Sequence, residues 1–180
     1  MAAHGTTPVP GSRLTRAALA ALPRRRLHGG RNGTKAVIDL VGDDRSAFVV
    51  KDVAPRSFLV RAFLGPCQLA REARAYARLE GVTGIPRFLG VVDRQAIALE
   101  YVEGRPLKDL PRGALEPAFF DRLDALLEAM HARGVAHADL HRGDVLLGPG
   151  GQPYLIDFST SWVARDPAAP AGRIFAQCRL

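Results

Sequence analysis

The chain has 180 residues, of which 47% are hydrophobic and 24% charged. That is enough apolar surface for a buried core and excludes a chain disordered by composition. No run of eighteen apolar residues occurs, which excludes a membrane-spanning helix, and two cysteines, Cys67 and Cys178, make no disulfide framework. The formal net charge of +7 is uneven. Seven basic residues (Arg13, Arg16, Arg24, Arg25, Arg26, Arg31 and Lys35) precede the first acid, Asp39.

Residues 1–11 read as a lead-in broken by Gly5, Pro8, Pro10 and Gly11. Ser12 is placed to cap a short helix that Pro23 stops. Residues 1–26 are expected to form a basic arm, available to phosphate, nucleic acid or an anionic membrane surface. An organelle transit peptide shares its Arg-rich, acid-free character. Residues 27–53 have a β pattern: a glycine turn at 29–33, then KAVIDLV and SAFVVKDV joined at Gly42, Asp43 and Asp44 as a hairpin. Residues 56–80 predict a helix broken at Gly65-Pro66, with Leu69, Ala73, Tyr76 and Leu79 on one face. FLGVV and AIALEYV predict two more strands around a turn at 93–95. Residues 116–133 predict a helix with Phe119, Phe120, Leu123, Leu126, Leu127 and Met130 at helical spacing, stopped by Gly134. A polar loop follows, then a Gly-rich hairpin at 148–151 and an Ala/Pro-rich tail. Strands, helix, strands, then helix and hairpin predict an α+β chain of two lobes, a β-rich one over 27–102 and a helical one over 103–180, hinged near 103–106.

Three acids stand out. Asp139 and Asp144 bracket the loop HADLHRGD between an apolar helix and the short strand 145–147, and Asp157 ends the apolar strand 154–156. Carboxylates at strand ends repel one another unless a cation lies between them, and a hard divalent cation suits oxygen ligands. Arginine outnumbers lysine 22 to 3, so a lysine is informative where a generic cation would be Arg. Lys51 lies in the apolar strand FVVKDV and Glu72 on the next helix. Such a pair can aim an ammonium at a phosphate. Other readings compete: Lys51 as a snorkelling strand lysine, Glu80 as its partner, and His137, Asp139 and His141 as metal ligands on one face of a strand. Asp144 and Asp157 could each simply cap a turn. Trp162 is expected in a core or at a lobe interface.

Together these residues resemble the protein-kinase-like superfamily. Lys51 in FVVK matches the strand lysine of V-A-I-K, HADLHRGDVLL the loop H-R-D-L-x-x-x-N, and IDFS the D-F-G element. HADL is similar to the RIO-type atypical kinases, and HxDLHxG to bacterial lipopolysaccharide sugar kinases and aminoglycoside-type phosphotransferases. The resemblance covers about residues 27–162. It implies a two-lobed fold with a β-rich N-lobe and a minimal helical C-lobe, and an enzyme that uses ATP and Mg²⁺ to phosphorylate a hydroxyl on a protein or a lipopolysaccharide sugar. It assigns acceptor activation to Asp139 and Mg²⁺ to Asp157 and Asp144. It assigns the α/β-phosphates to Lys51 held by Glu72, phosphate cover to Gly29, Gly30 and Gly33, and adenine to the backbone of Glu100 and Val102. The chain departs from the pattern at Asp144, where Asn is usual, at Ser159 for Gly, and in a GGRNG turn. Only 21 residues follow Ser159, with no A-P-E segment. Those departures carry the alternative expectation, a nucleotide-binding pseudokinase or scaffolding module. A cytoplasmic location, peripheral to a membrane if the arm binds one, is expected from the missing export signal and the free thiols.

Overall fold

A computed structural model describes residues 14–29, 33–43 and 46–165. Ser12, Gly30, Cys178 and the tail from 166 lie outside the described residues. The chain packs as two compact units. One comprises the described residues up to Ala73 with Phe88–Tyr101, the other Arg74–Arg87 with the described residues from Val102 onward.

The first unit is built on a five-stranded antiparallel sheet in the order β1-β2-β3-β5-β4, from β1 (Arg24–His28), β2 (Val37–Val41), β3 (Phe48–Asp52), β4 (Phe88–Asp93) and β5 (Ala96–Glu100). Alternation along β3 divides its residues between the faces. Phe48 and Val50 join Val41, Ala96 and Ala98 in a core that Leu14 and Leu19 close. Those two leucines flank and belong to α1 (Arg16–Ala20), whose N-terminus is capped by Thr15 Oγ1 accepting from the Ala18 N–H at 3.2 Å. The described part of the expected basic arm is therefore part of the fold. Three of its charges have partners: Arg16 bonds Asp52 at 2.8 Å and also Asp93, while Arg26 and Arg24 reach Asp39 at 3.0 and 3.5 Å. The strand begins at Arg24 rather than at 27 because pairing with Val41 and Leu40, not hydrophobicity, holds Arg24 and Arg25.

The break expected at Gly65-Pro66 is instead a widened turn. Residues Val60–Leu64 are π-helical and run directly into α2 (Gly65–Arg78). Pro66 has no N–H to donate, so the ladder shifts: the Gly65 N–H bonds the Val60 carbonyl, five residues back. The Arg61 carbonyl is met by the Gln95 side-chain amide at 3.1 Å. Glycine is required at 65, because a Cβ there would lie 2.6 Å from a Val53 methyl. On α2, Leu69, Glu72, Ala75 and Tyr76 are buried, as is Leu79 just beyond it, and Ala73 is half-buried.

The second unit centres on α3 (Pro117–Ala132), with Phe119, Leu123, Leu126 and Met130 buried. Phe120 departs from the expected stripe and is half exposed. Gly134, at φ 72°, ends the helix. Two small antiparallel sheets follow. One pairs β7 (Val135–Ala136) with β10 (Trp162–Val163), the other is ordered β6-β8-β9, from β6 (Arg105–Pro106), β8 (Val145–Leu147) and β9 (Pro153–Leu155). Trp162 pairs with Ala136 through its backbone but leaves 47% of its surface exposed, so it is not the packed residue expected.

Candidate functional site

In the first unit, Lys51 is on the central strand, opposite Ile38 on β2 and Ile97 on β5. Its neighbours Val50 and Asp52 face α1, so Lys51 faces the other way, where its ammonium bonds the Glu72 carboxylate. Both residues are buried, at 6% and 2% exposure. Of the two candidate partners, the structure selects Glu72. Glu80 lies past the end of α2, and its carbonyl accepts from Arg133 at 3.2 Å. A charge this buried is tolerated because its counter-charge is fixed by a strand and a helix. Gly29 and Gly33 lie between β1 and β2. Neither holds a left-handed φ, and a Cβ on either would meet no protein atom within 4 Å. Arg56 donates to the carbonyls of Gly29 and Lys35, the latter at 2.7 Å. Glu100 ends β5.

In the second unit, the three acids lie on loops at the ends of short strands. Val102 lies there too, in the irregular stretch 101–104. β7 leads into His137, Ala138 and Asp139. The ring of His137 is buried against Phe158, 5.0 Å between centroids, and its Nε2 lies 2.9 Å from the Ile156 carbonyl oxygen. The carbonyl of His137 accepts from the Thr160 hydroxyl at 3.3 Å. Phe158 is fully buried and also packs edge-on against Tyr76, 5.0 Å away. Asp139 is exposed, Asp144 buried and Asp157 half-buried. The Ile156 N–H donates to the Asp144 carbonyl at 2.9 Å, which joins the two metal candidates through backbone. The 139–144 loop is anchored further by Arg142, whose guanidinium donates to the Leu107 carbonyl at 2.6 Å.

Two described residues other than glycine have positive φ: Ala138 at 66° and Asp157 at 64°. One immediately precedes Asp139 and the other is itself a candidate metal ligand. A left-handed L-residue costs about 1–2 kcal/mol. Such strain persists where surrounding structure imposes it, and it clusters at functional sites. Here the imposing structure is buried His137 and Phe158 together with half-buried Ile156. The same left-handed turn removes the alternative transition-metal cluster. It breaks the extended geometry that would have aligned His137, Asp139 and His141. His137 turns to Ile156, His141 Nδ1 turns to the Asp144 carboxylate at 2.9 Å, and Asp139 stands exposed. Among the described residues no group of three or more His, Cys, Asp or Glu side chains is gathered for a metal.

Burial, and then the negative charge of Asp157, push the Asp144 carboxyl up to about 6; His141 and His137 relieve this in part. Two carboxylates that raise one another's cost of ionisation fit a divalent cation. Mg²⁺ characteristically takes one or two protein carboxylates and completes its shell with phosphate oxygens and water. Asp144 and Asp157 offer two carboxylates of that kind. Nothing in the residue order signals the His141–Asp144 contact or Arg142 as an anchor, since each depends on loop geometry.

A sequence profile described as "Phosphotransferase enzyme family" (APH) matches residues 68–165. The 3-deoxy-D-manno-octulosonic acid kinase of Xylella fastidiosa (strain M12) is 34% identical over 88 residues, 44% of this chain and 35% of that protein. A probable bifunctional tRNA threonylcarbamoyladenosine biosynthesis protein of Methanosarcina barkeri is 27% identical over 137 residues, 73% of this chain and 24% of that protein. The chain thus spans about a third or less of the curated relatives it matches. Among solved structures, the Rio2 kinase–ADP/Mg²⁺-phosphoaspartate complex from Chaetomium thermophilum superposes with a TM-score of 0.62 at 18% identity, over 87% of this chain and 56% of that one. The fold is therefore the α+β protein-kinase-like fold.

Proposed function

The chain belongs to the phosphotransferase enzyme family, and from that premise we propose that it transfers the terminal phosphoryl group of ATP to a hydroxyl acceptor, with Mg²⁺ as cofactor. The observation that carries this reading is the pair of left-handed backbone positions at Ala138 and Asp157, held by the part-buried His137–Ile156 contact. Strain at Asp157 and at the residue before Asp139 is of the kind that clusters at functional sites. The catalytic work is mostly positioning and electrostatics, as phosphoryl transfer requires. Asp139, exposed on its loop, orients the acceptor hydroxyl and takes its proton. Lys51, aimed by Glu72, positions the α/β-phosphates. Asp144 and Asp157 hold the metal. Mg²⁺, when bound, supplies charge neutralisation on the phosphate oxygens. The turn at 29–33 covers phosphate with backbone N–H groups, and the backbone of Glu100 and Val102 meets adenine.

For the acceptor, a sugar hydroxyl is favoured over a protein hydroxyl. The support is the resemblance to a relative named for 3-deoxy-D-manno-octulosonic acid, at 34% identity.

The test is a thermal-shift titration with ATP, with and without Mg²⁺, followed by phosphoryl transfer to sugar-acid and protein acceptors. Saturating Mg·ATP at about 100-fold over Kd should add about 2–3 kcal/mol of stability. Asp139→Asn should cut transfer by about 10²–10⁴-fold with that shift unchanged. An Mg·ATP shift without transfer above the Asp139→Asn background would establish the pseudokinase instead, for which Asp144 in place of Asn speaks. The absence of any shift would remove both readings.

A further inference from the structure

We propose that the first unit docks on an anionic phospholipid surface through residues 58–64. The inference does not rest on the phosphotransfer reading. Phe58, Leu59, Phe63 and Leu64 are 66%, 66%, 63% and 52% exposed, four large apolar side chains within seven residues. Single exposed apolar side chains are ordinary, but a contiguous group marks an interaction surface. The local backbone assembles the group. In an α-helix, residues five apart point about 140° away from each other. The π turn, with its bond from Gly65 to Val60, draws Phe58 toward Phe63 and Leu59 toward Leu64. Val60, only 5% exposed, anchors the turn and leaves the other four outward.

Along the patch segment itself the exposed charge has one sign. Between residues 53 and 79 the only acid is Glu72, which is buried on Lys51. Arg61 is exposed, with its guanidinium carbon 5.8 Å from the Phe58 ring centroid. Arg94, also exposed, precedes Gln95, the residue bonded to the Arg61 carbonyl. The acid of that turn, Asp93, is held by Arg16. Protruding Phe and Leu side chains rimmed by arginine match the composition of segments that settle at the headgroup–acyl boundary of acidic bilayers. A second copy of this chain fits poorly, since a two-fold contact through the patch would set Arg61 near its own equivalent.

Co-sedimentation of the full chain with vesicles tests this. Vesicles of phosphatidylcholine containing about 30 mol% phosphatidylglycerol should bind it at least about tenfold more tightly than phosphatidylcholine alone. Raising salt from about 0.1 to 0.5 M should weaken that binding. Phe58→Ser with Phe63→Ser should lose about tenfold in affinity, with the melting temperature of the parent retained because both side chains are exposed. Arg61→Glu should reduce the preference for anionic vesicles, with an unchanged circular dichroism spectrum. Failure to bind, equal binding to both vesicle types, or full binding by the double serine variant would overturn the proposal. A dimer at micromolar concentration that the double serine variant abolishes would assign the patch to a second copy and overturn it equally.

Discussion

The Nε2 of His137 lies 2.9 Å from the carbonyl oxygen of Ile156, so the residue two before Asp139 is tied to the residue just before Asp157. Nineteen positions of sequence separate the two partners, and the contact makes one rigid piece of two loops. Nε2 donates to that carbonyl, and Nδ1, buried, has no hydrogen-bond partner among the described residues. His137→Ala removes the donor to a half-buried carbonyl and the ring that packs on Phe158. It should cost about 2–4 kcal/mol in urea denaturation. A loss below about 0.5 kcal/mol would mean that the loops are held by something else.

Ala138→Gly probes the strain directly. At φ 66° glycine removes the Cβ penalty, so the variant should be neutral or up to about 1 kcal/mol more stable. The control is Ala125→Gly, on the exposed side of α3, which should lose about 1 kcal/mol. Equal losses at both positions would show that the left-handed position carries no strain.

Lys51→Met leaves Glu72 buried without its counter-charge, and Glu72→Ala does the converse to Lys51. Each should destabilise the fold by about 3–5 kcal/mol, whereas Lys51→Met combined with Glu72→Leu should recover most of that loss. Mg·ATP binding should be weakened in the double variant even though it is folded. Purely additive losses in a double-mutant cycle would count against a direct coupling.

The Asp144 carboxyl sets a pH dependence for the metal-free chain. Its folded value of about 6 lies above the ordinary 3.8, so the folded state holds the proton more tightly than the unfolded state. The stability this contributes is fully present below about pH 4 and is lost as pH rises through about 6. In EDTA, chemical denaturation should therefore find the fold less stable at pH 8 than at pH 5 by about 1 kcal/mol. Asp144→Asn should flatten the profile, and Mg²⁺ with nucleotide should restore stability mainly at the alkaline end. A parent profile that rises from pH 5 to 8 would contradict the sign.

Removing residues 1–22 should unfold or severely weaken the first unit, because the deletion takes Leu14, Leu19 and the Arg16 bridge to Asp52 and Asp93. Leu19→Ala alone should cost about 2–4 kcal/mol. A truncated chain with the parent's melting temperature would return this segment to the status of an appended arm.

Much of the fold was legible in the sequence because its signals are local. Alternation in KAVIDLV and SAFVVKDV, helical spacing from Phe119 to Met130 and the stop at Gly134 each depend on neighbours within a few residues. The spacing of Lys51, Glu72, Asp139, Asp144 and Asp157, and the resemblance it carries, were also set by the order of residues alone. Tertiary structure decided the rest. Arg24 and Arg25 carry no strand signal, and only pairing with β2 makes them one. Thr15 to Ala20 read as part of a charged arm until the apolar face of the sheet closed over Leu19. The choice of Glu72 over Glu80 required α2 to lie against β3 at one rotation, which Gly65 fixes by its approach to Val53. The left-handed turns at Ala138 and Asp157 have no clear sequence signature, since alanine ordinarily avoids that region and aspartate enters it only in a minority of cases. They exist because contacts between residues far apart in sequence outweigh the local preference of the backbone.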